Sequence, residues 1–132
     1  MIAIRRIIHV MIYLRLILLL ALLAGSPGRS LAEDSLEAID YLIGYVGKSD
    51  ATFIRNGDPH PAAEAVNHLR AKYIHFKAQI KTPEDFIRLA ASRSLVTGRP
   101  YLVKLKDGRQ LQVQDWLEAA LKEYRASLHQ SP

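Results

Sequence analysis

The chain has 132 residues, 49% of them hydrophobic, and a formal net charge of +5. Four of its 18 basic residues (Arg5, Arg6, Arg15 and Arg29) but none of its 13 acidic residues lie in the first 32, so the remaining 100 carry 14 basic groups against 13 acidic ones. That near-neutral balance gives no basic stripe for nucleic acid, the length suits one domain with a modest core, and the absence of cysteine excludes disulfides and a lipoprotein anchor.

The first predicted element is a leader. Arg5 and Arg6 make a basic start, an apolar run becomes uninterrupted from Leu16 to Ala24, and Ser30-Leu31-Ala32 offers small residues at both positions of a cleavage site before Glu33. These are the parts of a secretory signal. A retained membrane anchor is the alternative, but Arg15 would sit in the middle of the span, where a charge costs on the order of 3 kcal/mol. The expectation is a signal peptide over 1–32, removed near Ala32, and a single small domain over 33–132. The protein would then be periplasmic or secreted and would meet a membrane only through its leader.

Asp34 or Ser35 starts a first helix, with Glu37 at capping-box spacing. Leu36, Ile39, Ile43 and Val46 share one apolar face, and Gly47 suits the C-terminus, giving a helix over 35–46. Thr52–Ile54 is β-prone and the following Asn56-Gly57-Asp58-Pro59 is turn chemistry. Pro61 opens a second helix over 61–80 whose Val66, Leu69, Tyr73, Phe76 and Ile80 repeat at helical spacing. Thr82-Pro83-Glu84-Asp85 starts a third, with a cap hydroxyl, Pro at N1 and acids in the first turn. The stretch 91–100 is a loop. Tyr101, Val103 and Leu105 alternate along a strand, Asp107-Gly108 is a strong hairpin signal, and Leu111 and Val113 continue on the return. Asp115, with Glu118 three residues on, caps a last helix bearing Trp116, Leu117, Ala120, Leu121 and Tyr124. The expected class is α+β, mostly helical, with about four helices and one antiparallel β-hairpin before the last helix.

Phe53-Ile54-Arg55-Asn56-Gly57, Glu64–Lys72, Thr82–Ile87 and Thr97-Gly98-Arg99-Pro100-Tyr101 together resemble the YfeK-like family of small exported bacterial proteins. The likeness runs from about Leu36 to Leu121 and rests on four segments in order, none diagnostic alone. It implies export and single-domain organisation, and it implies no chemistry, because that family's function is unknown. The chain departs from the pattern at Leu95, where serine is usual, and in lacking the cysteines that some relatives carry.

Three sites are legible as candidates. His60, Glu64, His68 and His75 are spaced 4, 4 and 7 residues apart, and on a helix the last three form one stripe that offers nitrogen and carboxylate ligands to a metal. Against that, His68 and His75 lie about two turns apart, roughly 10 Å, too far to ligate one ion comfortably, and ordinary boundary hydrogen bonds explain these residues more simply. The second candidate is an anion pocket. Arg55 and Asn56 in one turn, with Ser94, Thr97 and Arg99 in the 92–99 loop, supply guanidinium, hydroxyl and backbone N–H groups suited to a carboxylate or phosphate, with His68 beside them. The competing role of Arg55 is a salt bridge to Asp58 or Glu64, and that of the serines is capping. A Ser94–His68–Asp58 or Glu64 triad has the atoms but no Gly-x-Ser-x-Gly elbow. Tyr41 and Tyr45 lie off the first helix's apolar face and serve either an interface or packing. The balance is a non-catalytic binding or accessory module of the cell envelope, with no cofactor and with an envelope protein or a small anion as its partner. A small hydrolase or metal-dependent enzyme centred on the second helix is the alternative.

Overall fold

The computed structural model describes residues 34–130, and the expected leader lies outside them. The chain divides into two units, Met1–Ala32 and Glu33–Pro132, and the described residues belong to the second. No described helix is long and apolar enough to cross a membrane.

Helix α1 spans Ser35–Lys48, with Asp34 at its N-cap accepting the Leu36 N–H over 2.9 Å. It runs two residues past the expected end and closes at Ser49, whose hydroxyl donates to the Val46 carbonyl. Its buried stripe is Ala38, Ile39, Leu42, Ile43 and Val46, while Leu36 is 62% exposed. The stripe therefore starts one turn later than the sequence spacing implied. Helix α2 covers Ala62–His75, shorter than the expected 61–80, and the chain then turns through 76–80 before burying Ile80. Helix α3 is the short Pro83–Phe86, begun by the expected capping box: Thr82 accepts the Asp85 N–H, and the Asp85 carboxylate accepts the Thr82 N–H. It widens into a π turn over Ile87–Ala91 that buries Ile87, Ala90 and Ala91. Helix α4, Val113–Leu128, begins directly where a strand ends, with Gln112 as its N-cap. Asp115 lies in its first turn rather than at the cap, because the chain enters the helix three residues earlier than the sequence signal suggests.

The sheet is larger than the one hairpin read from the sequence. Strands β1 (Thr52–Arg55) and β2 (Asp58–His60) form a hairpin of their own around Asn56-Gly57, and β3 (Leu102–Lys104) and β4 (Gln110–Gln112) form the expected one. The two hairpins join through antiparallel β1 and β3, giving the order β2-β1-β3-β4. Asn56 carries a φ of 53° and Gly57 one of 87°, the left-handed pair that a two-residue hairpin turn requires. The α+β, mostly helical class is as expected.

Register sets which side chains meet the helices. Phe53 pairs with both His60 and Val103, and Val103 pairs with Leu111, so these four stand in one row across the sheet. Side chains two residues along a strand share a face, which places Arg55 beside Phe53, Tyr101 beside Val103, and Val113 beside Leu111. Phe53, Val103, Tyr101 and Val113 are buried against a core that also holds Leu42, Leu69, Phe86 and Leu117. Tyr41 stacks on Tyr124 with ring centroids 4.6 Å apart, and Tyr45 meets Trp116 at 4.7 Å. Both tyrosines thus pack on α4.

Candidate functional site

A cleft of about 40 Å³ opens between the inner face of the sheet and the start of α2. Its apolar walls include Phe53, Leu69 and Val113, and its polar lining is Arg55, His60, Glu64, His68 and Tyr101. The register explains the convergence. Arg55 on β1 and Tyr101, just ahead of the neighbouring β3, project onto the helix side, and β2 delivers His60 at the start of α2. His60, Glu64 and His68 then follow one another up the helix at intervals of four residues, close to one turn.

Of the sequence candidates, Arg55, His60, Glu64 and His68 come together here, and His75 does not: it is exposed on α2, its ring edge-on to Phe76. His60 Nδ1 and a Glu64 carboxylate oxygen lie 2.8 Å apart, so Glu64 pairs with His60 rather than with Arg55. Among the described residues Arg55 makes no ion pair, and no three His, Asp or Glu side chains gather as a metal site requires.

Asn56, Ser94, Thr97 and Arg99 gather instead in a polar clasp next to the cleft. The Asn56 amide donates to Ser94 Oγ over 3.3 Å and accepts the Thr97 hydroxyl over 2.6 Å, while Thr97 Oγ1 accepts the Arg99 N–H. A Cβ on Gly57 would lie 3.8 Å from the Arg99 guanidinium, so the turn and the loop touch. The loop closes on itself through Ser94 N–H to Arg99 O, Gly98 N–H to Ser94 O and Tyr101 N–H to Ser92 O. Ser94 is buried and does not line the cleft, so Arg55 and His68 share a cleft that Ser94 stays outside.

Two residues that sequence reasoning did not single out complete the site. Tyr101 places its hydroxyl 2.9 Å from His68 Nε2, and Lys72, only 6% exposed, donates to that hydroxyl over 3.2 Å and to the Arg93 carbonyl over 2.7 Å. The Lys72 ammonium also sits 4.9 Å from the centroid of the Tyr101 ring, within cation–π range. Burial brings the Lys72 ammonium down to a pKa of about 8. The same desolvation, with the positive charges of Arg55, Lys72 and His60, holds His68 down to about 4, and burial pushes the Tyr101 phenol up. The imidazole is therefore neutral near pH 7, beside an ammonium that has no carboxylate partner among the described residues. The signal for Lys72 was present: it lies three residues after Leu69 and four before Phe76, on the stripe that packs inward.

A second, more open groove of about 590 Å³ lies on another side, between α1, the second hairpin and α4, with Tyr45, Trp116, Leu105 and Leu111 among its walls.

A 54-residue stretch, 41% of this chain, is 52% identical to the uncharacterized protein YfeK of Salmonella typhimurium. The aligned stretch spans 45% of that relative's length. No solved structure matches the chain. A sequence profile for a family of unknown function, DUF5329, matches residues 33–125, and the chain belongs to that family.

Proposed function

We propose that this protein is an exported binding module of the bacterial envelope, non-catalytic, which takes a small anion in the cleft between the sheet and α2. The observation that carries the proposal is Arg55. Its guanidinium lines an apolar-walled cleft and has no carboxylate partner among the described residues, because Glu64 is engaged by His60. A half-buried cation with no ion-pair partner among the described residues is a suitable receptor for a carboxylate or phosphate. The small volume favours a ligand, or a ligand end, of a few heavy atoms. Support for export comes from the leader: a basic start, a short apolar run and a small-x-small site ahead of Glu33.

The test has two parts. The full gene product is expressed in a Gram-negative host, recovered from the periplasm and weighed intact: a mass beginning at Glu33 supports export and cleavage, and retention of Met1 overturns cleavage. The same protein is then titrated with propionate and, separately, with inorganic phosphate while amide NMR shifts are followed. Binding with a dissociation constant on the order of 1 mM, a fair value for so small a ligand, should move the signals of Arg55, Ala65, His68 and Tyr101 and vanish in Arg55→Ala. If neither anion moves those signals at tens of times that concentration, the anion site is wrong.

A further inference from the structure

We propose that Lys72 and Tyr101 are positioning residues whose donor chain keeps the proton of His68 on Nδ1, and that this N–H and Arg55 together make the cleft a receptor for a carboxylate on a short hydrocarbon body. The proposal rests on the anion-binding reading above and names its ligand class and the residues behind its selectivity.

The direction of the chain follows from what each group is able to do. An ammonium only donates. Lys72 gives one hydrogen to the Arg93 carbonyl and one to Tyr101 Oη. The phenol has a single hydrogen, and its other neighbour is His68 Nε2 at 2.9 Å. If Nε2 carried the proton, the phenol would accept twice and its own O–H, in a residue 7% exposed, would point at no acceptor. Buried polar groups avoid that, and among the described residues no buried side-chain nitrogen or oxygen is left without a partner. The phenol therefore donates to Nε2. A neutral imidazole has one proton, so it stands on Nδ1, and no described residue accepts it.

The ligand class follows from the surroundings of that N–H. The cleft offers an apolar floor from Phe53, Leu69 and Val113, one permanent cation in Arg55 and one neutral donor in His68. A carboxylate has two oxygens for those two donors, and a short hydrocarbon body suits the floor. Phosphate needs more donors than the two that remain, since His60 is occupied by Glu64.

The same chain gives the site a pH limit. The ionisable groups around Lys72 and His68 are Arg55 on β1, His60 on β2, Glu64 on α2 and Tyr101 ahead of β3; from Arg93 only the backbone carbonyl reaches Lys72. From α1 and the π turn, the other elements packed on α2, no described ionisable side chain bonds either residue. When Lys72 loses a proton to solvent, near pH 8, its amine becomes able to accept. The phenol is then no longer compelled to donate to Nε2: it becomes able to give its hydrogen to the amine, and in those molecules His68 exchanges its proton with water and holds it on Nε2. In that share of molecules Nδ1 is a bare acceptor, so carboxylate affinity falls as pH rises through about 8.

The test is nitrogen NMR of the exported protein labelled at histidine, with His68 assigned by its loss in His68→Gln. Without ligand, at about pH 6.5, the ordinary histidine midpoint, the expected His68 signal is protonated Nδ1 and bare Nε2. On raising pH the Nε2–H form should appear beside it, with a midpoint near 8. Tyr101→Phe should mix the two tautomers and weaken propionate about tenfold, roughly the worth of one hydrogen bond. Lys72→Met should remove the midpoint, and the wild-type titration stands on its own if that variant does not fold. An Nε2–H signal at about pH 6.5, or no conversion up to about pH 10, overturns the positioning role. A protonated Nδ1 with no propionate binding overturns the ligand class while leaving the tautomer standing, because the tautomer is read without any ligand, and the anion reading falls with it only if phosphate also fails to bind. Phosphate binding tighter than propionate likewise overturns the ligand class.

Discussion

The Asn56 side chain bridges Ser94 and Thr97, donating to the first over 3.3 Å and accepting from the second over 2.6 Å, from a residue whose φ is 53°. One residue thus shapes the first hairpin's turn and fastens that turn to the loop preceding the second hairpin. The cleft residue Arg55 is its immediate neighbour in the chain.

Asn56→Ala should therefore lose two side-chain hydrogen bonds and also place a Cβ residue without a compensating amide in the left-handed region. Each exposed bond is worth about 0.5–1 kcal/mol and the backbone conformation about 1 kcal/mol, so the variant should be about 2 kcal/mol less stable in urea unfolding. Asn56→Gly keeps the backbone freedom and should lose only about half as much. Equal losses in the two variants would show that the turn conformation contributes nothing.

Much of the fold was readable because its signals are local. Thr82 and Asp85 make a capping box from four consecutive positions, and Tyr101, Val103 and Leu105 alternate as a half-buried strand should. The first hairpin was hidden by Pro59, a residue that argues against a strand. Pro59 is accommodated because β2 is at the edge of the sheet, where a missing N–H costs no ladder bond. Helix α4 starts ahead of its cap signal because Val113 N–H is already satisfied by the Tyr101 carbonyl over 2.9 Å, a long-range bond that no local pattern announces. The site was half legible for the same reason. His60, Glu64 and His68 share a helix stripe, but their meeting with Arg55 and Tyr101 depends on the pairing of β1 with β3.

Trp116 is the only tryptophan. It lies 4.7 Å from the Tyr45 ring and 5.8 Å, edge-on, from Phe53, which lines the cleft. Trp116→Ala removes both aromatic pairs and should cost about 2–3 kcal/mol, below the fully buried range because the indole is half-exposed. Circular dichroism during denaturation measures this loss. In the wild type, Trp116 emission should also respond to propionate through Phe53, and an unchanged spectrum at saturation would disconnect the aromatic row from the cleft.

Stability should depend on pH in two windows. His68 has a folded pKa of about 4 against an ordinary 6.5. The unfolded chain binds the proton more readily, so the contribution is complete above about 6.5 and is lost as pH falls towards about 4. A gap of that size corresponds to at most ~3 kcal/mol, and water reaching the half-exposed ring reduces it to on the order of 1–2 kcal/mol. Lys72, at about 8 against 10.5, adds a second rise as pH climbs between those values. The raised Tyr101 phenol works the other way, since its folded form holds the proton longer and stability falls above its ordinary value of 10.0. Urea midpoints across this range should fall below about pH 6, and His68→Gln should flatten that acid limb. A limb unchanged in His68→Gln would assign it to other groups.

Arg55→Ala separates the electrostatics of the cleft from its packing. Arg55 is half-buried and makes no ion pair among the described residues, so its removal should shift unfolding by less than about 1 kcal/mol. Its charge is the largest electrostatic cause, after burial, of the lowered His68 pKa. Removing it should raise that pKa towards the ordinary value, and the imidazole proton signals should titrate at higher pH than in the wild type. Arg55→Lys keeps the charge but not the planar pair of donors, so it should leave the His68 titration near its wild-type position while weakening propionate. A common His68 midpoint in wild type, Arg55→Lys and Arg55→Ala would mean that the guanidinium does not reach the imidazole. Loss of propionate binding in Arg55→Ala with an unmoved His68 would mean that Arg55 holds the anion without sensing the imidazole.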